Sequence, residues 1–307
     1  MGSTRVKAIK ADDYIQDLLI RGNLALARHL RADVVTIRSP IAFGLDQIVR
    51  YEVDNLHDGD QAPRRPGKLC VLVETNGGHI EVVERIYGVF RRHYRHVSFL
   101  VPDYAYSAGT VLVLSGDEIY MDYYSILGPI DPQIESNEGR FVPGLGYLQK
   151  YKELTEKINR AVDPETVRAE LAYLLQKFDP AELFLLEQAK NHSLSLLRTW
   201  LPMHKFKSWK KTRGRGLRVT PAMRRKRAEE IATTLGNPER WHSHGRGIGI
   251  KELTSEEIKL DIVNFADDPE LNPLVVNYYQ LFTDYCSKLG LRNDGTVIHT
   301  RNGLRRF

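Results

Sequence analysis

Ser107 lies in the run Tyr104-Ala105-Tyr106-Ser107-Ala108-Gly109-Thr110, between an apolar strand-like stretch and an apolar helix-like one. Upstream, Asn76-Gly77-Gly78 follows the strand-like Leu69-Cys70-Val71-Leu72-Val73. A hydroxyl attacks a carbonyl poorly unless a base takes its proton and something holds the negative charge that forms. A glycine pair after one strand and a serine after the next can build an anion-holding pocket that faces a nucleophile. Glycine matters at 77 and 78 because a side chain would crowd an approaching substrate backbone. The segment is not a GxSxG elbow, since Ala105 stands where the first glycine would be.

The elements that must position these residues alternate. Residues 12 to 32 read as an amphipathic helix with acid near its start. Val34-Val35-Thr36-Ile37 is a β-branched strand, and 44 to 56 is helical in spacing. The run 69–73 suits a buried parallel strand. A helix through Ile80, Val83, Ile86 and Phe90 follows, then a strand at 97–101 and a short apolar helix at 107–114. Further strands are expected at 118–121 and 125–127. This alternation predicts a parallel sheet with flanking helices. Beyond residue 147 the pattern is helical, over 147–161, 164–178, 180–199 and 221–235, with a return to the core near 258–263. A terminal helix is expected at 274–289.

Bulk properties narrow the function class. With 307 residues and 42% apolar content the chain can bury a substantial core, which excludes global disorder. Cys70 and Cys286 are far apart and form no CxxC, which speaks against a disulfide scaffold or a zinc site. The first residues lack an apolar secretory region, and no apolar run reaches membrane-spanning length. A cytoplasmic setting is therefore expected. Eleven of the Lys and Arg residues lie between His204 and Arg227, with no acid among them; without that run the net charge of +5 would be negative. Phe206 and Trp209 sit among these charges. The segment 204–227 reads either as a site for nucleic acid or an acidic partner, or as a solvated loop and helix start.

The ordered set Val73-Glu74-Thr75-Asn76-Gly77-Gly78, Tyr106-Ser107-Ala108-Gly109-Thr110, Asp117-Glu118-Ile119-Tyr120-Met121 and Ser125-Ile126-Leu127-Gly128-Pro129-Ile130-Asp131-Pro132-Gln133-Ile134 resembles the ClpP/crotonase superfamily. Within it, the chain is most similar to the serine dehydrogenase proteinase family, relatives of SppA. The resemblance runs through roughly residues 69 to 134, and Trp241-His242-Ser243-His244-Gly245 also looks like that family's later part. It implies an α/β fold with a ClpP/crotonase-like repeated ββα core, a parallel sheet with flanking helices, and a helical C-terminal extension. The division expected is an N-terminal helical segment at 1–32, a peptidase domain at 33–265 and a helical tail at 266–307. It implies Ser107 as nucleophile and the Gly77 and Ala108 N–H groups as oxyanion hole. Gly78 and Asp131 would border the substrate. Peptide bonds would be hydrolysed through an acyl-enzyme with no metal and no organic cofactor, on a peptide or protein substrate bound by β-addition. Members usually self-associate, so a homo-oligomer is expected.

The base is less plainly written. Between His96 and His192 there is no histidine, and Asp131 falls roughly where one would be needed. SppA-type relatives use a Ser-Lys dyad with the lysine on a later helix, which implies a desolvated amine here. On the helix from Tyr147 to Ala161, Lys150 lies nearest the edge of the apolar face, with Lys152 close behind and Lys157 toward solvent. Asp131 could instead cap its turn, and His79 could line the site or simply open its helix. His242 and His244 lack partners in metal-ligand spacing. Two other readings keep the fold: a crotonase-type thioester enzyme, for which no CoA signal is evident, and a catalytically degenerate scaffold or nucleic-acid binder using 204–227.

Overall fold

Alternating side chains of the central strands serve two different layers, and this sets the architecture. The computed structural model describes residues 10–56, 67–130, 133–135, 141–160, 162–212, 214–241, 243, 245–291 and 295–307. In chain order the first half comprises α1 (Ala11–Leu30), β1 (Asp33–Arg38), α2 (Leu45–Asn55), β2 (Lys68–Glu74), α3 (Ile80–His93), β3 (His96–Leu100), β4 (Tyr104–Ala105), α4 (Ala108–Leu114), β5 (Glu118–Met121) and β6 (Ile126–Leu127). Then come β7 (Gln133–Glu135), β8 (Phe141–Pro143), α5 (Gly144–Arg160), α6 (Pro164–Lys177), α7 (Pro180–Met203), α8 (Pro221–Leu235) and α9 (Pro238–Trp241). The chain closes with β9 (Ile248–Gly249), α10 (Ile250–Thr254), β10 (Val263–Asn264), α11 (Leu271–Lys288), β11 (Val297–Thr300) and β12 (Gly303–Arg306).

Seven strands form one sheet in the order β10-β5-β3-β2-β1-β11-β12. Its five-stranded heart is parallel, while β11 and β12 add antiparallel beside β1. The expected α/β class with a mostly parallel sheet, flanking helices and a helical later region is thus the observed one. Val35, Ile37, Val71 and Val73 face a core shared with α2, α3, α4 and α7. Val34, Cys70, Leu72 and Leu100 face the other way, onto α1 and α11. A strand buried on both faces reads as a continuous apolar run, which is why 69–73 looked parallel in sequence.

Local sequence explains the helix ends. Asp163, Asp179 and Thr220 accept backbone N–H bonds at the starts of α6, α7 and α8, each followed by proline. The helix α1 stops at Arg31, which adopts φ 51°.

Two expectations need revision. The tail is more than helical: β11 pairs with β1 through Thr36–His299, Ile37–Ile298 and Arg38–Val297, and α11 packs on α1. The strand run Val297-Ile298-His299-Thr300 is short and set among polar residues, so its pattern is weak. The segment 204–227 is also more built than a basic loop. Lys207 bonds Asp117, Arg224 donates to the Trp209 carbonyl, and Arg227 donates to the Glu257 and Ile258 carbonyls. Lys211 and Arg218 pair as a short antiparallel bridge. Several of its cations thus satisfy carboxylates and backbone carbonyls, and a nucleic-acid partner gains no support. No helix among the described residues is long and apolar enough to cross a membrane.

Candidate active site

Three loops meet at the carboxyl ends of β1, β2 and β3, where ligands bind in open parallel sheets. The turn after β2 is bracketed on both sides. Ile41 N–H donates to the Gly77 carbonyl and His79 N–H to the Ile41 carbonyl, both at 2.8 Å. On the other side Thr75 N–H donates to the Tyr104 carbonyl at 3.1 Å and Tyr106 N–H to the Thr75 carbonyl at 2.9 Å. These bonds press the glycine turn against the serine turn. A Cβ on Gly77 would fall 2.6 Å from the Tyr106 oxygen and 2.8 Å from Ser107 Cβ. One on Gly78 would fall 2.3 Å from the Ile41 oxygen. Both glycines hold positive φ, 92° and 144°, so close approach and backbone conformation each require glycine here.

Ser107 is half-buried at the cap of α4, with φ 52° and ψ −120°. That conformation lies outside the regions open to ordinary residues and costs on the order of 1–3 kcal/mol, so its surroundings must enforce it. Thr110 is one enforcer: its hydroxyl bonds the Ala105 and Gly128 carbonyls, each at 2.8 Å, and takes the Gly128 N–H at 3.0 Å. Gly109 is another, since a Cβ there would strike Thr75 Cγ2 at 2.3 Å. Although Ala105 replaces the glycine of a GxSxG elbow, the chain makes the same kind of strained strand-to-helix turn.

The backbone amides around this turn divide unexpectedly. The Gly77 N–H, read from sequence as an oxyanion donor, donates to Thr75 Oγ1 at 3.1 Å. The amides of Asn76, Gly78, Ser107 and Ala108 have no partner among the described residues, and those of Gly78 and Ala108 are the pair that could serve as donors in its place. Gly77 is buried and Gly78 exposed, so the open side of the turn belongs to Gly78. The β-branched Thr75, two residues before Gly77, is the sequence signal for this difference. Ser107 Oγ likewise has no hydrogen-bond partner among the described residues.

The expected lysines lie elsewhere than on that hydroxyl. Lys150 Nζ pairs with Glu153 at 3.2 Å, and its side chain is 61% exposed. Lys152 is exposed as well. Lys190 on α7 is half-buried, and burial, followed by the charge of Lys152, lowers its amine below the usual lysine range. The helix α7 packs on α4, whose cap is Ser107, and His192 fastens it to Glu84 of α3 at 3.1 Å. His79 is exposed and stacks with Phe43, ring centroids 4.3 Å apart. Asp131, His242 and His244 lie outside the described residues. Among the described residues no three His, Cys, Asp or Glu side chains group as metal ligands.

Residues 62–158 match the family model of ClpP-like SDH-type serine proteinases. The match spans less than half of the chain. The matched segment holds both turns and nearly all of α5. Two uncharacterized proteins of Methanocaldococcus jannaschii are similar: one is 33% identical over 91 residues, 30% of this chain and 30% of its own, and the other 28% identical over 116 residues, 36% and 41%. The chain thus matches well under half the length of these relatives. A solved structure of a membrane-bound stomatin-specific protease, a serine-to-alanine mutant, covers 75% of this chain and 77% of its own at 12% identity, with a TM-score of 0.41.

Sequence reasoning missed a polar cluster beneath the serine and glycine turns. Arg38 and Glu74 are register partners on β1 and β2, and Arg38 Nε donates to Glu74 Oε1 at 2.9 Å. Tyr279 of α11 donates its hydroxyl to Glu74 Oε2 at 2.6 Å and stands 3.5 Å from Asp103 Oδ2. Burial, and then the nearby Glu74, hold the Asp103 carboxyl above the usual aspartate range. Buried charges need such partners, and Arg38 and Tyr279 come from outside the matched segment. No spacing along the chain could have announced a contact across some two hundred residues.

Proposed function

We propose that this protein is a serine peptidase that hydrolyses peptide bonds through an acyl-enzyme on Ser107. One observation carries the reading: a strained serine abuts Gly77 of the glycine turn, and the amides of Ala108 and of the adjoining Gly78 have no partner among the described residues. In the first step Ser107 Oγ attacks the scissile carbonyl carbon while a base takes its proton. The developing oxyanion accepts hydrogen bonds from the Ala108 and Gly78 N–H groups, a term whose removal in comparable sites costs about a hundredfold to a thousandfold in rate. The intermediate collapses, the C–N bond breaks, and the leaving amine takes the proton from the base. Water then attacks the acyl ester by the same route and frees Ser107. Gly78 contributes an amide here rather than only room for substrate.

The base is a lysine amine. Lys150 and Lys152 are the candidates from helical position. Lys190 joins them because its surroundings favour the neutral, proton-accepting form. Peptide or protein is the substrate class. Self-association is part of the proposal, supported by the exposed Leu171, Leu175, Phe184 and Leu185 on α6 and α7.

A fluorophosphonate probe tests the core of this reading. It should label the wild-type protein at Ser107 and leave Ser107→Ala unlabelled, with hydrolysis of a casein-type substrate following the same pattern. Labelling that persists in Ser107→Ala, or none in the wild type, would end it.

A further inference from the structure

We propose that Tyr279, on the C-terminal helix, is a positioning residue for the chemistry at Ser107: its hydroxyl donates to the Glu74 carboxylate and stands between it and that of Asp103, and so fixes the roots of the glycine turn and the serine turn. The inference rests on the hydrolase reading and adds to it an element far outside the matched segment. Glu74 directly precedes Thr75-Asn76-Gly77-Gly78, and Asp103 precedes Tyr104-Ala105-Tyr106-Ser107. Asp103 also accepts the Ile126 N–H through its carbonyl at 2.8 Å, which roots the third segment, 126–128, at the same point. This node therefore borders the glycine turn, the serine turn and the 126–128 segment.

The charge balance explains why a hydroxyl is needed. Arg38 offsets Glu74, which leaves Asp103 as the second carboxylate of a partly buried pair. The groups facing Asp103 are Glu74 on β2, Arg38 on β1, Tyr104 on β4, Tyr106 just after it, Tyr279 on α11 and Asp122 in the turn after β5. Glu74 and Asp122 favour a protonated Asp103, whereas Arg38 and the Tyr279 hydroxyl favour the ionised form. Removing the hydroxyl leaves the two carboxylates facing each other with one fewer donor. Repulsion then either moves the 103–107 segment or puts a proton on Asp103. Either change reaches Ser107 through the Thr75–Tyr104 and Thr75–Tyr106 backbone bonds. Misplacement of about 1 Å in a reacting group can cost about a hundredfold in rate.

The test follows fluorophosphonate labelling of Ser107 against probe concentration and pH in wild type, Tyr279→Phe, Asp103→Asn and the double variant. Tyr279→Phe should lower the maximal labelling rate about tenfold or more, with the half-saturating probe concentration unchanged within about twofold. Its acid limb should move to higher pH, because the Asp103 carboxyl gains a proton more readily without the hydroxyl. Asp103→Asn should also label slowly and show no such limb, and adding Tyr279→Phe to it should change little further. Loss of a packing contact alone would shift thermal stability without moving the pH profile. A wild type that labels at Ser107 beside a Tyr279→Phe protein with the same rate and pH profile overturns this inference and leaves the hydrolase reading intact. Absence of labelling in the wild type removes both. Should Tyr279→Phe fail to fold, an Asp103→Asn protein with wild-type rate and acid limb overturns it by itself.

Discussion

The two turns that hold Ser107 and the helical arm α5–α6 differ in how firmly they are built. Around the serine every turn is cross-bonded, and glycines stand wherever a methyl group would collide with backbone. In the arm, α6 buries no residue at all, and α5 rests on a small satellite cluster of Leu148, Leu154, Phe178, Leu183 and Leu186. The difference separates two demands on a hydrolytic site. Oxyanion donors must be rigid before the charge forms, since their value lies in preorganisation. A base can arrive on a mobile element, because catalytic hydrogen bonds often tighten only with substrate bound. The side proposed to hold charge is preformed here, whereas the side proposed to bear the base is loosely tied.

The sharpest way to break this comparison is to find the base. Lys150→Met, Lys152→Met and Lys190→Met, each assayed by labelling of Ser107, should leave two variants near wild type and slow one by about a hundredfold to ten-thousandfold. A hit at Lys150 or Lys152 keeps the base on the arm. A hit at Lys190 moves it to α7, which packs on the rigid half through α4. Three near-wild-type results would sink the Ser-Lys reading. Next in size is Gly78→Ala. The added methyl would meet the Ile41 carbonyl at 2.3 Å at a φ of 144°, so the open amide must shift. Labelling should fall about a hundredfold or more. Wild-type labelling in Gly78→Ala would mean that the rigid side does not depend on this amide.

What could be read in advance follows the same line. The strands at 69–73, 97–101 and 118–121 and the serine and glycine turns were legible because each is a local run with its own period or punctuation. The helices at 164–178 and 221–235 were legible as helical pattern, and the structure adds the Asp163 and Thr220 caps that start them. The strand β11 was not, since Val297-Ile298-His299-Thr300 is short and becomes a strand by pairing with β1. The same holds for the cluster of Arg38, Glu74, Asp103 and Tyr279, which exists only once sequence-distant elements meet. Whether the Gly77 amide stands open turned on one Thr75 hydroxyl, a side-chain orientation that residue type alone leaves open. For Lys150 the helical wheel placed the amine at an apolar edge, but that edge belongs to a satellite cluster, and the amine pairs with Glu153.

Acid should distinguish the two regions by stability. His299 in β11 is fully buried, and burial lowers its imidazole to about 4 from an unfolded value near 6.5. Because the folded value is the lower one, the unfolded chain binds the extra proton. His299 therefore costs nothing above about pH 6.5, and stability falls as pH drops from there toward about 4, by at most about 3 kcal/mol. No histidine lies between His96 and His192, so the arm has no matching term. Hydrogen exchange across this window should show the sheet protections falling while those of α5 and α6 stay level. A His299→Phe protein that keeps the full slope would assign the acid sensitivity to another group. His204, lowered to about 4 first by burial and then by Arg91, is the next to test.

The smallest effect tests whether the arm is separable. Leu154 is buried within the satellite cluster, and Leu154→Ala should cost the arm about 2–3 kcal/mol locally. Residues that contact only a satellite cluster need not report on global unfolding, because subregions open with their own free energies. The main thermal transition should therefore stay within about one degree of wild type, while trypsin cuts faster at Lys157, Arg160 and Lys177. Ser107 labelling of this variant then carries the last discrimination. A slowed rate with an unmoved main transition means that the arm delivers a catalytic group to a rigid pocket. An unchanged rate means that all the chemistry resides in the sheet half and α7. A drop in the main transition would show that arm and sheet unfold as one unit, and the contrast between them would then be only one of exposure.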